Sequence, residues 1–420
     1  MANFKLTTST KLPKLISNEI QPINTNILII GGAFSGLATF ISLKQHLITK
    51  LTDLDAQTKI SITLVEPRNG LLNILGIPKC IIDIPFAKTQ FIPFKNLNNL
   101  KFTNILTDEN LDIEYIESNE YLDLNYIQGK ITNLNSKSAT YKLNNGDKVK
   151  NINFDYCVIC SGRDRNFPTT LTSNNYDDFI KEMTEVKESI EDVDIISVIG
   201  GGAVGIEIAG DIKTQYPNKT VNLIHPHKLF PPEPLSDEFK TMTKKSLTDV
   251  NINIINKRIK SDNTKGDLIT TDNETISSNL NIFCNHKSNN TSYISNELQK
   301  FISPNNNIFI NEYLQLSHDG KVIDNVFALG DLVEQPIIKS AGWAMYHGRL
   351  VANNISNLIV ENKLVEHLPD LSQIPFGMVL VGGNNEIISE LAGIVELNHE
   401  GYKKEYADYC IGKIKATLGV

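Results

Sequence analysis

Short apolar runs alternate along this chain with longer stretches of helical character. Ile27, Leu28, Ile29 and Ile30 stand in a row, followed by a glycine cluster and a mostly apolar stretch at 37–43. Such a run fits a short buried strand, and the stretch beyond the glycines fits a helix packed on it. The order recurs later: an apolar strand at 194–199, a second glycine cluster, the helical run IEIAGDIKTQ, Pro217 and a strand at 220–224. Strand, glycine turn, helix and strand within about 30 residues make a βαβ unit.

The rest of the pattern hangs on these two units. A polar connection, 49–58, leads to a second strand at 60–65. Residues 67–94 mix apolar positions with the cations Arg68, Lys79 and Lys88, and read as a helix and an extended segment beside a ligand. Short strands are expected at 111–115, 126–134 and 139–143, with a hairpin connection at the NNGD of 144–147. A helix at 176–191 precedes the second unit, and strands at 252–259, 268–271 and 280–283 complete it. Apolar segments at 308–310 and 325–331 return to the first unit. A long helix follows at 341–358, where Trp343 and Tyr346 are expected to pack in the core. Two or three strands lie within 376–395. Over 402–418, Tyr402, Tyr406, Cys410, Ile414 and Leu418 recur every four residues, with Lys403, Lys404, Lys413 and Lys415 elsewhere. That helix can cover a domain, pair with a second subunit as a homodimer, or make peripheral membrane contact; packing on the chain's own core or on a subunit is preferred.

The expected fold is therefore α/β, with two Rossmann-like dinucleotide-binding domains and a small C-terminal α+β region. The predicted boundaries are a tail at 1–25, a first domain at 26–168 resumed at 296–362, an inserted domain at 169–295 and a C-terminal part at 363–420. A length of 420 residues suits two or three domains.

Charge and cysteine content narrow the function. The net charge of −8 leaves little basic surface for phosphate neutralisation, so no nucleic-acid partner is expected. Five cysteines, an odd number, point to a reducing, cytoplasmic setting. Cys157 and Cys160 form a C-x-x-C inside FDYCVIC, but that stretch reads as a strand whose positions three apart face opposite sides, a poor geometry for a disulfide. No apolar run reaches the roughly 18 residues of a membrane span. The first 25 residues carry Lys5, Lys11 and Lys14 and one acid, Glu19, but no arginine, so mitochondrial targeting ranks below a cytoplasmic location, with a membrane surface open. Ala2 is incompatible with N-myristoylation.

The chemistry concentrates in the glycine turns. In the first, Gly31, Gly32 and Gly36 let the chain bend and a pyrophosphate approach the helix N-terminus; Ala33 stands where a third glycine is usual and crowds that approach slightly. Glu66, at the end of the second strand, is placed either to accept from a ribose diol or to be a solvated turn residue. Lys79 reads equally as a ligand contact or a surface lysine. Ser161 and Gly162 follow a strand where the chain leaves the first domain. The second turn is a full G-x-G-x-x-G at Gly200, Gly202 and Gly205. Its second strand ends in His225, Pro226, His227 and Lys228 with no acid, so NADPH is permitted beside NADH. Asp331, in NVFALGD, ends a late strand and suits a flavin polyol. The helix after Lys339 would aim its N-terminus at the flavin ring edge. No metal site is predicted.

Three segments go further. LLNILGIPKCIIDIPFAKTQFIPF, IGGGAVGIEIAGDIKTQYPNKTVNLIHPHK and NVFALGDLVEQPIIKSAGWAMYHGRLVANNI resemble the apoptosis-inducing-factor-like family, in particular its ferroptosis suppressor branch of NAD(P)H:quinone reductases, related to type II NADH dehydrogenases. The similarity spans roughly residues 26–400. It implies a glutathione-reductase-like fold, noncovalent FAD, NAD(P)H as reductant and a hydrophobic quinone, or another small electron acceptor, as partner. Carried over, Gly31, Gly36, Glu66 and Asp331 bind FAD, and Gly200, Gly202, Gly205 and Glu207 bind the nicotinamide coenzyme. Gly32, Ala33, Lys79, Ser161 and Gly162 complete the candidate cofactor contacts, and Glu207 and Lys339 are the candidate catalytic groups. Cys160-Ser161-Gly162 departs from the family's Ala-Thr-Gly. The expected function is an FAD-dependent oxidoreductase passing hydride from NAD(P)H to flavin and electrons onward to a quinone. The alternative is a flavin-bearing signalling protein whose redox state sets conformation or oligomerisation.

Overall fold

The computed structural model describes residues 24–51, 59–109, 121–263 and 266–420; the strand expected at 111–115 lies outside them. The first strand, Asn24–Ile30, sits centrally in a seven-stranded sheet, parallel to Lys59–Val65 on one side and Tyr156–Ile159 on the other. Both its faces are buried: Ile27 and Ile29 enter one core cluster, Leu28 and Ile30 another. This is why it carries a continuous apolar run rather than an alternating one. The late strand Lys321–Ala328 extends the sheet, parallel to Tyr156–Ile159. Helices Phe34–Leu51 and Ala341–Glu361 cover one face. They approach so closely that a Cβ on Gly348 would lie 2.6 Å from Ser35 O. On the other face lies an antiparallel sheet of Gly129–Leu134, Ser138–Leu143 and Lys150–Asn153. The strand expected at 126–134 is two strands, Leu122–Ile127 and Gly129–Leu134, which belong to different sheets.

The second unit is a four-stranded parallel sheet in the order Asn253–Ile255, Thr220–Ile224, Ile195–Ile199, Leu280–Phe283. The chain leaves the first unit through Arg163–Arg165 and comes back through His286–Asn289, and these crossings pair antiparallel. Residues 67–94 form two short helical turns, Ile77–Cys80 and Ile84–Ala87, flanked by the antiparallel pair Gly70–Leu72 and Phe91–Pro93. Their apolar side chains share a core with the second unit, so the segment is the seam between the two sheets.

After a three-stranded antiparallel sheet, Met378–Val381, Ile387–Leu391 and Ile394–Leu397, the chain ends in two helices rather than one. Glu400–Tyr406 and Ile411–Leu418 are separated by Tyr409 and Cys410 in the left-handed region, φ +50° and +63°. Cys410, Ile411, Ile414 and Leu418 are buried in the first unit's core. The apolar face considered for membrane or subunit contact is thus taken up by the chain itself. Among the described residues no helix is long and apolar enough to cross a membrane.

Candidate functional site

Both glycine turns open at the carboxyl ends of their parallel sheets, where α/β proteins bind ligands. In the first, Gly31 has φ +102°, and a Cβ there would lie 2.5 Å from Cys160 O; a Cβ on Gly36 would lie 1.8 Å from Gly31 O. Glycine is forced at both positions by the chain itself. The Gly32 N–H donates to Glu66 Oε2 at 2.7 Å, and Arg68 N–H donates to Oε1 at 2.9 Å. The buried Glu66 carboxylate therefore lies directly against the turn. Ala33 is exposed, its methyl at the mouth of the cradle.

The second turn repeats this position by position. Gly200 has φ +122°, and a Cβ on Gly205 would lie 1.9 Å from Gly200 O. Around Gly202 a Cβ meets nothing within 4 Å. The Gly201 N–H donates to His225 Nδ1 at 3.2 Å, so His225 takes the place that Glu66 holds in the first unit.

Asp331 lies at the same end of the first sheet, just past the late strand, in a turn where Gly330 has φ +68° and stands next to the Ser35 hydroxyl. Its Oδ2 is 2.8 Å from Arg163 Nε. His347, completely buried on the late helix, accepts the Gly330 N–H at 3.4 Å through Nδ1. Burial drives its pKa down to about 4, so it stays neutral. Sequence reasoning missed His347, one of several polar residues on this helix and the one that turns to Gly330. Ser161 turns its hydroxyl to its own chain, bonding Asn290 O at 2.8 Å and Tyr293 OH at 2.7 Å. Gly162, with φ +65°, has open space around a Cβ.

Lys339 directly precedes Ser340, the N-cap of the late helix. Its Nζ donates to Val333 O at 2.6 Å. Burial lowers its pKa to about 8, against the pull of the nearby Asp331. Near the start of this helix Tyr346 packs against the first core as expected, while Trp343 stands half-buried outside it. With Pro336, Ile338, Ile374 and Phe376 they line an open, largely apolar groove of about 590 Å³.

Glu207 and Asp211 stand one turn apart on the fingerprint helix Ala203–Gln215, both buried. Glu207 accepts the Val381 N–H at 3.3 Å, and Asp211 Oδ2 accepts the Tyr409 hydroxyl at 2.7 Å. Burial raises Glu207 to about 8 and Asp211 to about 7. Lys79 sits at the same seam, 5.0 Å over the Phe86 ring and close enough to Asp211 to oppose its shift. The structure thus groups Glu207 and Lys79 with the seam, and Asp331 and Lys339 with the first turn. Asp211 was missed, although its spacing of four from Glu207 was visible.

Residues 25–348 match the family model for pyridine nucleotide-disulphide oxidoreductases. The chain belongs to this family. Oxidoreductase OXR1 of Ajellomyces capsulatus is 26% identical over 405 residues, covering 89% of this chain and 82% of the relative. Ferroptosis suppressor protein 1 of Xenopus tropicalis is 22% identical, covering 88% and 89%. The NDH2 structure from Plasmodium falciparum in complex with NADH has the same fold, with a TM-score of 0.66 at 13% identity over 94% of this chain and 97% of that one. The disulphide chemistry in the family's name finds no dithiol in this oxidoreductase. All five cysteines are free and buried, and burial pushes the Cys160 thiol up to about 12.

Proposed function

We propose that this oxidoreductase binds FAD at the first turn and NAD(P)H at the second, and reduces a lipophilic quinone in the groove beside Trp343. The observation that carries this reading is the pair of equivalent turns, each at a sheet's carboxyl end, with the groove opening at the helix that starts beside Lys339.

In this reading residues 26–168 and 296–362 form the FAD domain, 169–295 the NAD(P)H domain, and 363–420 the part that walls the groove with Ile374 and Phe376. Gly31, Gly32, Ala33 and Gly36 leave room for the FAD pyrophosphate, and the helix N-terminus behind them favours its charge. Glu66 holds the ribose and Asp331 the ribityl chain; Arg163, which now pairs with Asp331, would share it. Ser161 and Gly162 shape the strand end beneath. Flavin supplies, when bound, the hydride-accepting and electron-donating chemistry. Gly200, Gly202 and Gly205 seat the coenzyme pyrophosphate, and Glu207 closes the nicotinamide end. Lys79 holds the seam beside Asp211. Lys339 carries a proton at Nζ with an affinity near physiological pH, suited to delivery beside the groove. The apolar walls exclude water from the acceptor. A quinone as acceptor rests on these walls and on the ferroptosis suppressor resemblance.

The test is an anaerobic titration of the purified protein with NADH or NADPH, followed by a long-tailed quinone. Bleaching of a flavin band, restored by the quinone, is expected. Bleaching without reoxidation would remove the acceptor assignment, and absence of a flavin spectrum would remove the whole reading.

A further inference from the structure

The crossing from the first unit to the second carries charged residues in a row, Arg163, Asp164 and Arg165. The first two are engaged. Arg163 pairs with Asp331, and Asp164 Oδ1 accepts from Asn290 Nδ2 at 2.9 Å. Arg165 is held by its backbone alone. Its N–H donates to the Thr170 hydroxyl at 2.7 Å, and the strand pairing sets it opposite His286. The half-buried guanidinium has no hydrogen bond or ion pair among the described residues, so its donor fork lacks a protein acceptor. Burial lowers its pKa, so the charge is kept at a cost that a bound anion would offset.

This cation stands between the two glycine turns. Toward the first it feels the charges of Arg163 and Asp331; toward the second it acts on Cys284 and Glu207. Cys284 underlies the second turn: a Cβ on Gly205 would lie 3.4 Å from Cys284 Cβ, and one on Gly200 3.6 Å from it. The acids nearby do not claim the guanidinium. Burial raises Glu207 to about 8, which leaves it mostly protonated at neutral pH, and Glu233 acts on Arg165 without forming an ion pair. The second turn, for its part, is short of positive charge. Its helix N-terminus supplies roughly half an elementary charge, the Gly201 N–H is already given to His225, and a coenzyme pyrophosphate carries a negative charge on each phosphate. A free guanidinium fork fits that need.

We propose that Arg165 is a coenzyme-binding residue lent by the crossing strand to the second unit, its guanidinium taking the pyrophosphate seated on the second turn. The proposal rests on that turn being the coenzyme site. Calorimetry on the flavin-loaded protein tests it with ADP-ribose, which carries the pyrophosphate, and AMP, which stops at the first phosphate. Arg165→Gln should weaken ADP-ribose at least about tenfold and leave AMP within about twofold. Arg165→Lys, which keeps the charge and loses the fork, should fall between. The salt dependence of ADP-ribose binding should be shallower in Arg165→Gln than in the wild type, and the flavin midpoint potential should stay where it is. ADP-ribose bound equally well by Arg165→Gln and the wild type, or equal weakening of both fragments, would overturn the proposal while leaving the coenzyme site standing. A lowered flavin potential with ADP-ribose binding intact would overturn it too, by giving the cation to the flavin. Binding of neither fragment by the wild type would overturn both readings.

Discussion

The two glycine turns are near copies with different contents. Gly31 and Gly200 share a positive φ, and Gly36 and Gly205 each face the carbonyl of that first glycine at a distance no side chain tolerates. These positions answer to the chain's own backbone and are the same in both. The positions open to a ligand are not. Ala33 stands opposite Gly202, and Glu66 opposite His225. The helices behind the turns diverge too: Ala38 and Ser42 occupy the positions of Glu207 and Asp211. Ala38 receives the close approach of Gly348, whereas the two acids meet the C-terminal segments. The comparison separates what the fold requires of such a turn from what its contents require.

The sharpest way to break the equivalence is at the forced glycines. Gly36→Ala and Gly205→Ala should each cost roughly 3 kcal/mol or more, since the added methyl meets backbone and cannot be relieved by a side-chain rotation. Denaturant unfolding of both variants measures this, and an undisturbed Gly36→Ala protein would refute the claim that the backbone dictates the turn. Next comes Gly202→Val. The branched side chain enters space that is empty in the fold, so stability should hold and the yellow colour should remain, while flavin reduction by NAD(P)H weakens at least about tenfold. Stopped-flow reduction reads the effect; a colourless variant would mean that the two turns have exchanged roles.

Asp331→Ala should weaken flavin retention by roughly 1.5 to 3 kcal/mol, the range of a hydrogen bond to a charged group. Flavin released during dialysis against the wild type gives the number, and full occupancy would take Asp331 out of the site. The smallest effect belongs to the second helix alone. Glu207 and Asp211 have folded pKa values of about 8 and about 7, above their ordinary values of 4.5 and 3.8. The folded state therefore favours their protonated forms. That stabilisation is complete below about pH 4 and is lost as pH rises through 7 to 8. Unfolding free energy should fall between pH 7 and pH 9 by on the order of 2 kcal/mol, and Asp211→Asn should flatten part of that slope. A slope unchanged in the variant would place the titration elsewhere.

Much of the frame was legible because its causes are local. The strands of both glycine units are buried on both faces and carry unbroken apolar runs, and the glycines mark turns no other residue can make. The late strand before Asp331 could be read for the same reason at its buried end, Val326 to Ala328. What could not be read depended on distant packing. The spacing of four from Tyr402 to Leu418 suggests one helix, but the chain leaves the helical region at Tyr409 and Cys410, where Tyr409 meets Asn73 and Asp211, residues remote in sequence. Residues 252–259 look like one strand and divide between two sheets. Trp343 has the composition of core and lines an open groove, with Tyr346 packed on the core at its edge, because the facing wall comes from residues 369–377. Asp211 was visible four residues after Glu207 on the fingerprint helix; its burial against Tyr409 was not.

Tyr409 touches both units at once. Its carbonyl accepts from Asn73 on the seam segment of the first unit, and its phenol donates to Asp211 on the fingerprint helix of the second. In mechanical language it is a strut pinned at both ends. The backbone at Tyr409 and Cys410 is bent into a left-handed turn with no glycine to ease it. A sliding or hinging motion between the two sheets would load the carbonyl bond and the phenol bond together.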